Sequence, residues 1–233
     1  MLFDAFSQAV ALIVSGDPEL FEILWLSIQV STSALAISVI LALPIGTVLA
    51  ISEFPGKRLC VTVLNSLMGL PPVVVGLLVY LMLSRSGPLG VLGLLYTPTA
   101  MVIAQVVLIT PIIAALAYQV MDDLHREYRE LFQSLGIDSI RAIPTYLWDA
   151  RYSLVTSILA GFGRAISEVG AVIIVGGNID HLTRVMTTAI ALETSKGELA
   201  IALALGIILL MLALLVNAGV TTVRSIALKK AYV

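Results

Sequence analysis

Five stretches of this chain are each too long and too apolar to be left in water. They lie at about 21–51, 59–83, 97–121, 152–176 and 199–223. A helix that crosses the hydrocarbon core of a bilayer needs about 20 mostly apolar residues, and each run meets that length. Composition agrees: 59% of the 233 residues are hydrophobic and 12% charged, with a mean hydropathy of +1.06. Soluble domains carry about 25% charged residues. The expected fold is therefore an all-α membrane protein with five spanning helices, organised as a single domain over 1–233.

Residues 1–18 are apolar at first but too short to span. No Lys or Arg precedes the apolar part, which argues against a secretory signal, so the segment is expected to form an interfacial helix. Lys and Arg in the connections set the orientation. One side carries Lys57, Arg58, Arg126, Arg129, Arg141, Arg151, Arg224, Lys229 and Lys230; the other holds only Arg85, Arg184 and Lys196. The first side is expected to be cytoplasmic, with the C-terminus on it and the acidic Asp4, Asp17, Glu19 and Glu22 outside, in a multi-pass protein of the cell membrane.

The remaining composition excludes several functions. Net charge is −2, so no basic footprint points to nucleic acid. Cys60 is the only cysteine and the two histidines, His125 and His181, are far apart, so neither an internal disulfide nor a metal-ligand cluster is expected. No glycine-rich loop ending in Gly-Lys-Ser/Thr occurs, so the chain lacks the usual phosphate cradle for ATP.

One connection is long: 122–151, "DDLHREYRELFQSLGIDSIRAIPTYLWDAR". Leu124, Tyr128, Leu131, Phe132 and Leu135 recur at three- and four-residue spacing, which predicts an amphipathic helix. Gly136 is a natural stop, since glycine accepts the left-handed cap conformation cheaply. Asp138 or Ser139 is then positioned to cap a second helix.

The fourth run, "AGFGRAISEVGAVIIVGGN", holds two charges four residues apart, Arg164 and Glu168. Each costs about 2.5–3.5 kcal/mol at a helix centre. A helical clasp offsets little, about 0.2–0.5 kcal/mol, and prefers the acid first. Gly161, Arg164, Ala165, Glu168 and Ala171 share one side of a helix, while Phe162, Ile166, Val169 and Ile173 are left for lipid. Intramembrane charges usually face a bundle interior or a watery cavity, so this face is expected to turn inward, lining a watery path or gate or clasping a neighbouring helix. Pro71 and Pro72 in "GLPPVVVG" break or kink the second run, beside that path; Pro44 and Pro111 are expected to be plain kinks. Residues 176–195 read as an outer polar loop, in which Asn178 and Arg184 are candidate contacts for an external protein and His181 and Met186 pack the loop.

These segments resemble a known family. "ELFQSLG" places Glu130 six residues before Gly136, the spacing of the Glu-Ala-Ala, three residues, Gly loop in permease subunits of bacterial and archaeal ABC importers, although Leu131 and Phe132 replace two alanines and Tyr146, Trp148 and Asp149 depart from the usual continuation. "GFGRAISEVGAVIIVGGN" is similar to the molybdate and sulfate permease branch, and "LWDARYSL", "GRAISEVGAVIIVGGNI" and "TTAIALETSKGE" to tungstate permeases. The resemblance covers about 20–225. It implies a type I (MetI-like) permease that works as a homodimer and forms the path of an oxyanion, tungstate before molybdate or sulfate. An external binding protein would deliver the anion, and separate cytoplasmic ATPase subunits would hold ATP and Mg. Glu130, Leu131, Phe132, Leu135 and Gly136 would dock on that ATPase, with no enzyme activity in this chain. A secondary transporter is the alternative, against which stand five spans and the absence of an internal repeat. A membrane enzyme would need a nucleophile–base set that the two histidines, predicted on opposite sides, do not supply.

Overall fold

The computed structural model describes residues 2–231, without the side chains at 2, 4, 5, 220 and 223–231. Asp4, Arg224, Lys229 and Lys230, used above for orientation, therefore lie outside the described side chains. Among the described residues there are nine α-helices and one 3-10 turn, and no strand. The helices are α1 Leu2–Ser15, α2 Pro18–Ile51, α3 Lys57–Leu67, α4 Pro72–Leu83, α5 Pro98–Ser134, α6 Ile143–Ile166, α7 Gly170–Gly176, α8 Met186–Lys196 and α9 Leu199–Ala231. Three helices are long and apolar enough to cross a membrane, and five spans result if α3–α4 and α6–α7 each count as one. The five apolar runs thus correspond to three long helices and two bent pairs, α3–α4 bent by 98° and α6–α7 by 55°.

The long helices start where their sequence says they should. Asp17 accepts the N–H groups of Glu19 at 2.9 Å and Leu20 at 3.3 Å, and Pro18 opens α2. Thr97 repeats the arrangement before Pro98, accepting the Ala100 N–H at 3.4 Å. A side-chain oxygen satisfies orphan donors, and proline at the first helical position gives up a donor that had no partner. Pro44 and Pro111 lie inside α2 and α5 without ending them. Helix α1 buries Ala9 and exposes Phe3, Phe6 and Val14.

The chain divides into two compact units. The first comprises 1–34, 71–107 and 163–216; the second comprises 35–70, 108–162 and 217–233. In the first, α4 and α7 pack closely. A Cβ on Gly76 would stand 2.7 Å from the Ala171 Cα and one on Gly170 3.1 Å from Val73 Cγ2. Small residues let helix backbones approach in this way where water supplies no driving force. In the second unit Tyr146 is fully buried with Met121, Ala117 and Ala150, and Tyr128 and Phe132 pack on it.

Several expectations are corrected here. Residues 122–151 do read as helix, Gly136 stop and helix, but the two helices are the ends of α5 and α6, because nothing between Pro111 and Gly136 interrupts α5. Asp138 and Ser139 do not cap α6 with their side chains; the Asp138 carbonyl accepts the Ala142 N–H at 3.1 Å, and α6 starts later, at Ile143. Phe162 and Ile166 are buried instead of facing lipid, whereas Val169 and Ile173 are exposed. The supposed polar loop contains α8, with Met186, Thr187, Thr188, Ala189 and Glu193 buried. Its inner face is small and hydroxyl-bearing, so no apolar stripe announced it.

The α4–α7 approach predicts an asymmetric response to two glycine substitutions. Gly76→Val should destabilise by roughly 1–3 kcal/mol, the usual cost of overpacking. Gly163→Ala, whose Cβ meets nothing within 4 Å, should match or slightly exceed the wild type through helix propensity. Thermal unfolding in detergent reads both; equal midpoints for wild type and Gly76→Val would refute the close contact.

Candidate translocation site

Helix α6 stops at Ile166 without a proline. The Glu168 N–H turns back to the Ala165 carbonyl at 3.2 Å, tightening the last turn, and α7 starts two residues later. Such a break exposes backbone groups, which at membrane depth must find partners in the protein. They do. Gln105 Nε2 donates to the Ala165 carbonyl at 3.0 Å, and Thr187 Oγ1 donates to the Glu168 carbonyl at 2.8 Å. Both donors are buried.

Glu168 is the hinge of this arrangement. It is only 3% exposed. One carboxylate oxygen, Oε1, accepts the Ala171 N–H at 3.0 Å near the start of α7; the other, Oε2, accepts Arg164 Nη1 at 2.5 Å. With both oxygens engaged, the buried charge is paired and hydrogen-bonded, the condition under which burial is tolerated. Arg164 keeps 32% of its side chain exposed, beside the exposed Gly163 and Ser167. The pair therefore turns a cationic edge outward and hides its anion. The sequence reading treated Glu168 as a second charge on the same helix face; it lies instead past the helix end. Pro72 joins this site, since its Cβ and the Glu168 carboxylate both lie 3.6 Å from a Cβ built on Gly170. Pro71 caps α4 in an extended conformation and Pro72 opens it, so the prolines mark a second break. Ala165 is buried in the same unit. Gly161 is packed in the other unit, where a Cβ would stand 2.6 Å from Ile113. Gly163 and Ser167, which form the exposed strip beside Arg164, were not singled out from sequence; Gln105 and Thr187 could be found only from the fold.

The outer-loop candidates are largely turned inward. Gly177 and Asn178 adopt positive φ of 72° and 51°, and buried Thr183 staples the turn by donating to the Gly176 carbonyl at 2.6 Å and accepting the Ile179 N–H at 2.9 Å. Arg184 is 13% exposed and held by Asp180 at 2.8 Å and Glu19 at 3.5 Å. What this turn presents outward is Ile179, Leu182 and His181. His181 is 70% exposed instead of packed, and its Nδ1 meets Glu22 at 2.9 Å. Met186, by contrast, is fully buried.

In the second unit the segment around Gly136 separates two roles that the sequence left mixed. Gly136 takes φ +69°. Its N–H bonds the Gln133 carbonyl at 3.1 Å, and the Ile137 N–H reaches the Phe132 carbonyl at 2.8 Å, the paired bonds of a glycine C-terminal stop. Phe132 points inward, edge to face with Tyr128 at 5.8 Å and Tyr146 at 5.6 Å. Leu131 and Leu135 point outward, 55% and 62% exposed, accompanied by Ile140 and Trp148; Glu130 is exposed beside them. Among the described residues no group of three possible metal ligands occurs.

Residues 42–224 match the model of the binding-protein-dependent transport system inner membrane component family. The chain belongs to this family. It is 43% identical over 221 residues to the tungstate uptake system permease protein TupB of Peptoclostridium acidaminophilum, covering 95% of this chain and 97% of that one. It is 44% identical over 197 residues to a probable anion ABC transporter permease protein of Haloferax volcanii, covering 82% and 85%. The TupB of Campylobacter jejuni is 33% identical over 216 residues, covering 93% and 90%; sulfate transport system permeases are more distant, at 25–26%. The all-α, multi-pass architecture is thus that of an ABC-type permease.

Two outcomes test the site. Glu168→Ala removes the acceptor of Arg164 and of the Ala171 N–H and should cost about 1.5–3 kcal/mol, the range for hydrogen bonds to a charged group, with Glu168→Gln costing less because the amide still accepts a hydrogen bond; thermal unfolding ranks them, and equal losses would contradict the bonding described. At the outer turn, hydrogen bonding to the Glu22 carboxylate raises the His181 pKa above its ordinary value. The link is fully present below about pH 6.5 and is lost as pH rises through the raised value. Protection from hydrogen exchange at 177–184, taken relative to the intrinsic rate at each pH, should fall over that window in the wild type and stay flat in His181→Ala.

Proposed function

We propose that this chain is the permease of an ATP-driven importer for a tetrahedral oxyanion, tungstate before molybdate or sulfate. It would act as a homodimer in the cell membrane, with ATPase subunits on the cytoplasmic side and an external binding protein delivering the anion. The similarity over nearly the full length to a permease named for tungstate uptake carries the choice of cargo. The site chemistry agrees: Arg164 offers an exposed guanidinium while Glu168 is consumed within the protein, so a passing dianion meets a positive edge without a facing carboxylate. Ala165, Pro71 and Pro72 shape the helices around this edge, and the break after Ile166 gives it a place to move. Weak attraction suits passage, because a tight site would hold the anion.

Leu131 and Leu135, with Glu130 at their side, form the surface offered to the ATPase as a helix-in-groove contact; Phe132 and Gly136 fix its shape. Asn178 and Arg184 support the outer turn, whose exposed tip would meet the binding protein. ATP and Mg would be held by the ATPase alone, and lipid would surround the spans.

Reconstitution with the cognate ATPase and binding protein tests this reading. Tungstate uptake should require ATP and persist in the presence of excess sulfate. Leu131→Glu with Leu135→Glu should lower uptake by about tenfold or more, as loss of interface anchors does, with unfolding temperature unchanged. Uptake driven by an ion gradient without ATP would overturn it.

A further inference from the structure

Helix α3 buries none of its residues, yet it belongs to a span when joined to α4. Its exposed surface has two unlike sides. Leu59, Cys60, Val63 and Leu67 lie on one and, with Ile45 and Val48 of α2, line an apolar groove of about 720 Å³. Arg58, Thr62, Asn65 and Ser66 recur at three- and four-residue spacing on the other, and all four are exposed. An apolar side can meet lipid chains. A side with a guanidinium, an amide and two hydroxyls cannot, because polar groups inside a membrane face a protein interior or a watery cavity.

The polar side opens at its start into a cleft of about 760 Å³ lined by Lys57, Arg58, Thr62, Tyr118, Asp122 and Arg126, with Glu53 at its edge. The carboxylates there are already taken. Asp122 is 2.6 Å from Arg126 and 3.9 Å from Lys57, and Glu53 is 3.0 Å from Arg129. Arg58 has no carboxylate within 4.0 Å among the described residues. Thr62 and Ser66 return their hydroxyl protons to the Arg58 and Thr62 carbonyls, each at 2.8 Å. The donors left on this side are the Arg58 guanidinium and the Asn65 amide, which suit an anion.

We propose that this face of α3 lines a water-filled segment of the oxyanion path, and that the cleft at Arg58 is its cytoplasmic mouth. The inference rests on the transport reading above. An anionic lipid headgroup would account for Arg58, but not for Asn65 and Ser66, which lie about 10 Å further along the helix at 1.5 Å per residue. The hydroxyls, with their protons directed back, present lone pairs to water and keep the wall wet without gripping the anion.

Thiol labelling in the reconstituted full transporter decides it. In a Cys60→Ser background, Thr62→Cys, Asn65→Cys and Ser66→Cys should react with charged, membrane-impermeant methanethiosulfonates, while Leu59→Cys and Val63→Cys should not. The anionic reagent should react faster than the cationic one at Thr62→Cys, and Arg58→Gln should reduce that ratio on the order of tenfold, as expected for charge focusing in a cleft. Tungstate uptake is measured on the same vesicles. If wild type transports while position 65 is unreactive, or positions 59 and 63 react equally, the inference fails and the transport reading stands. If labelling follows the polar side but no oxyanion is carried, the transport reading fails instead. Labelling confined to position 62, with an Arg58 effect that tracks the anionic lipid content of the vesicles, would assign the cleft to a headgroup and overturn the proposal.

Discussion

The carboxylate of Glu168 holds together the part of this protein on which its transport reading depends. It sits at the point where α6 ends, takes the Ala171 N–H with one oxygen and Arg164 with the other, and is shut away from solvent. A helix break inside a membrane is expensive unless its freed groups are answered. Here Gln105 and Thr187 answer the carbonyls and Glu168 answers an N–H. The charge that pairs with it is thereby fixed in position while remaining partly exposed. One buried acid thus stabilises the bend and aims the cation.

The short halves of the two broken helices, α4 and α7, meet in the first unit. The α3–α4 break is written in Pro71 and Pro72, and α4 then packs on α7 through Gly76 and Ala171. Close backbone approach of small residues leaves little side-chain volume to rearrange, which suits a pair of short helices that pivot as bodies. Broken helices at membrane depth recur where a path must be lined by something other than a continuous apolar wall. In the proposed account the permease moves its cargo past these breaks, with Leu131 and Leu135 receiving the force of the ATPase in the other unit.

Much of this was legible in sequence. The five apolar runs became three long helices and two bent pairs, and Gly136 did end α5 with a left-handed turn. The spacing of Leu131, Phe132 and Leu135 was read as one face, but only the positions of Tyr128 and Tyr146 separate the inward Phe132 from its outward neighbours. The break at 167–169 was not visible, because no proline marks it and its partners lie up to 60 residues away in the chain. Helix α8 was read as a polar loop, since its buried side carries hydroxyls: Thr187 bonds the distant Glu168 carbonyl and Thr188 closes the local cap at Val185. The two sides of α3 were readable in principle, from Arg58, Thr62, Asn65 and Ser66, but an average over the whole run conceals a polar stripe.

The central claim is that Arg164 and Glu168 act as one unit at the break. A double-mutant cycle on unfolding free energy, using Arg164→Gln, Glu168→Gln and the double variant in the purified protein, tests it most directly. The account predicts a coupling of about 1.5–3 kcal/mol, within the range for residues in one charged network, with the double variant less destabilised than the sum of the singles. Additive losses, with coupling near zero, would contradict it.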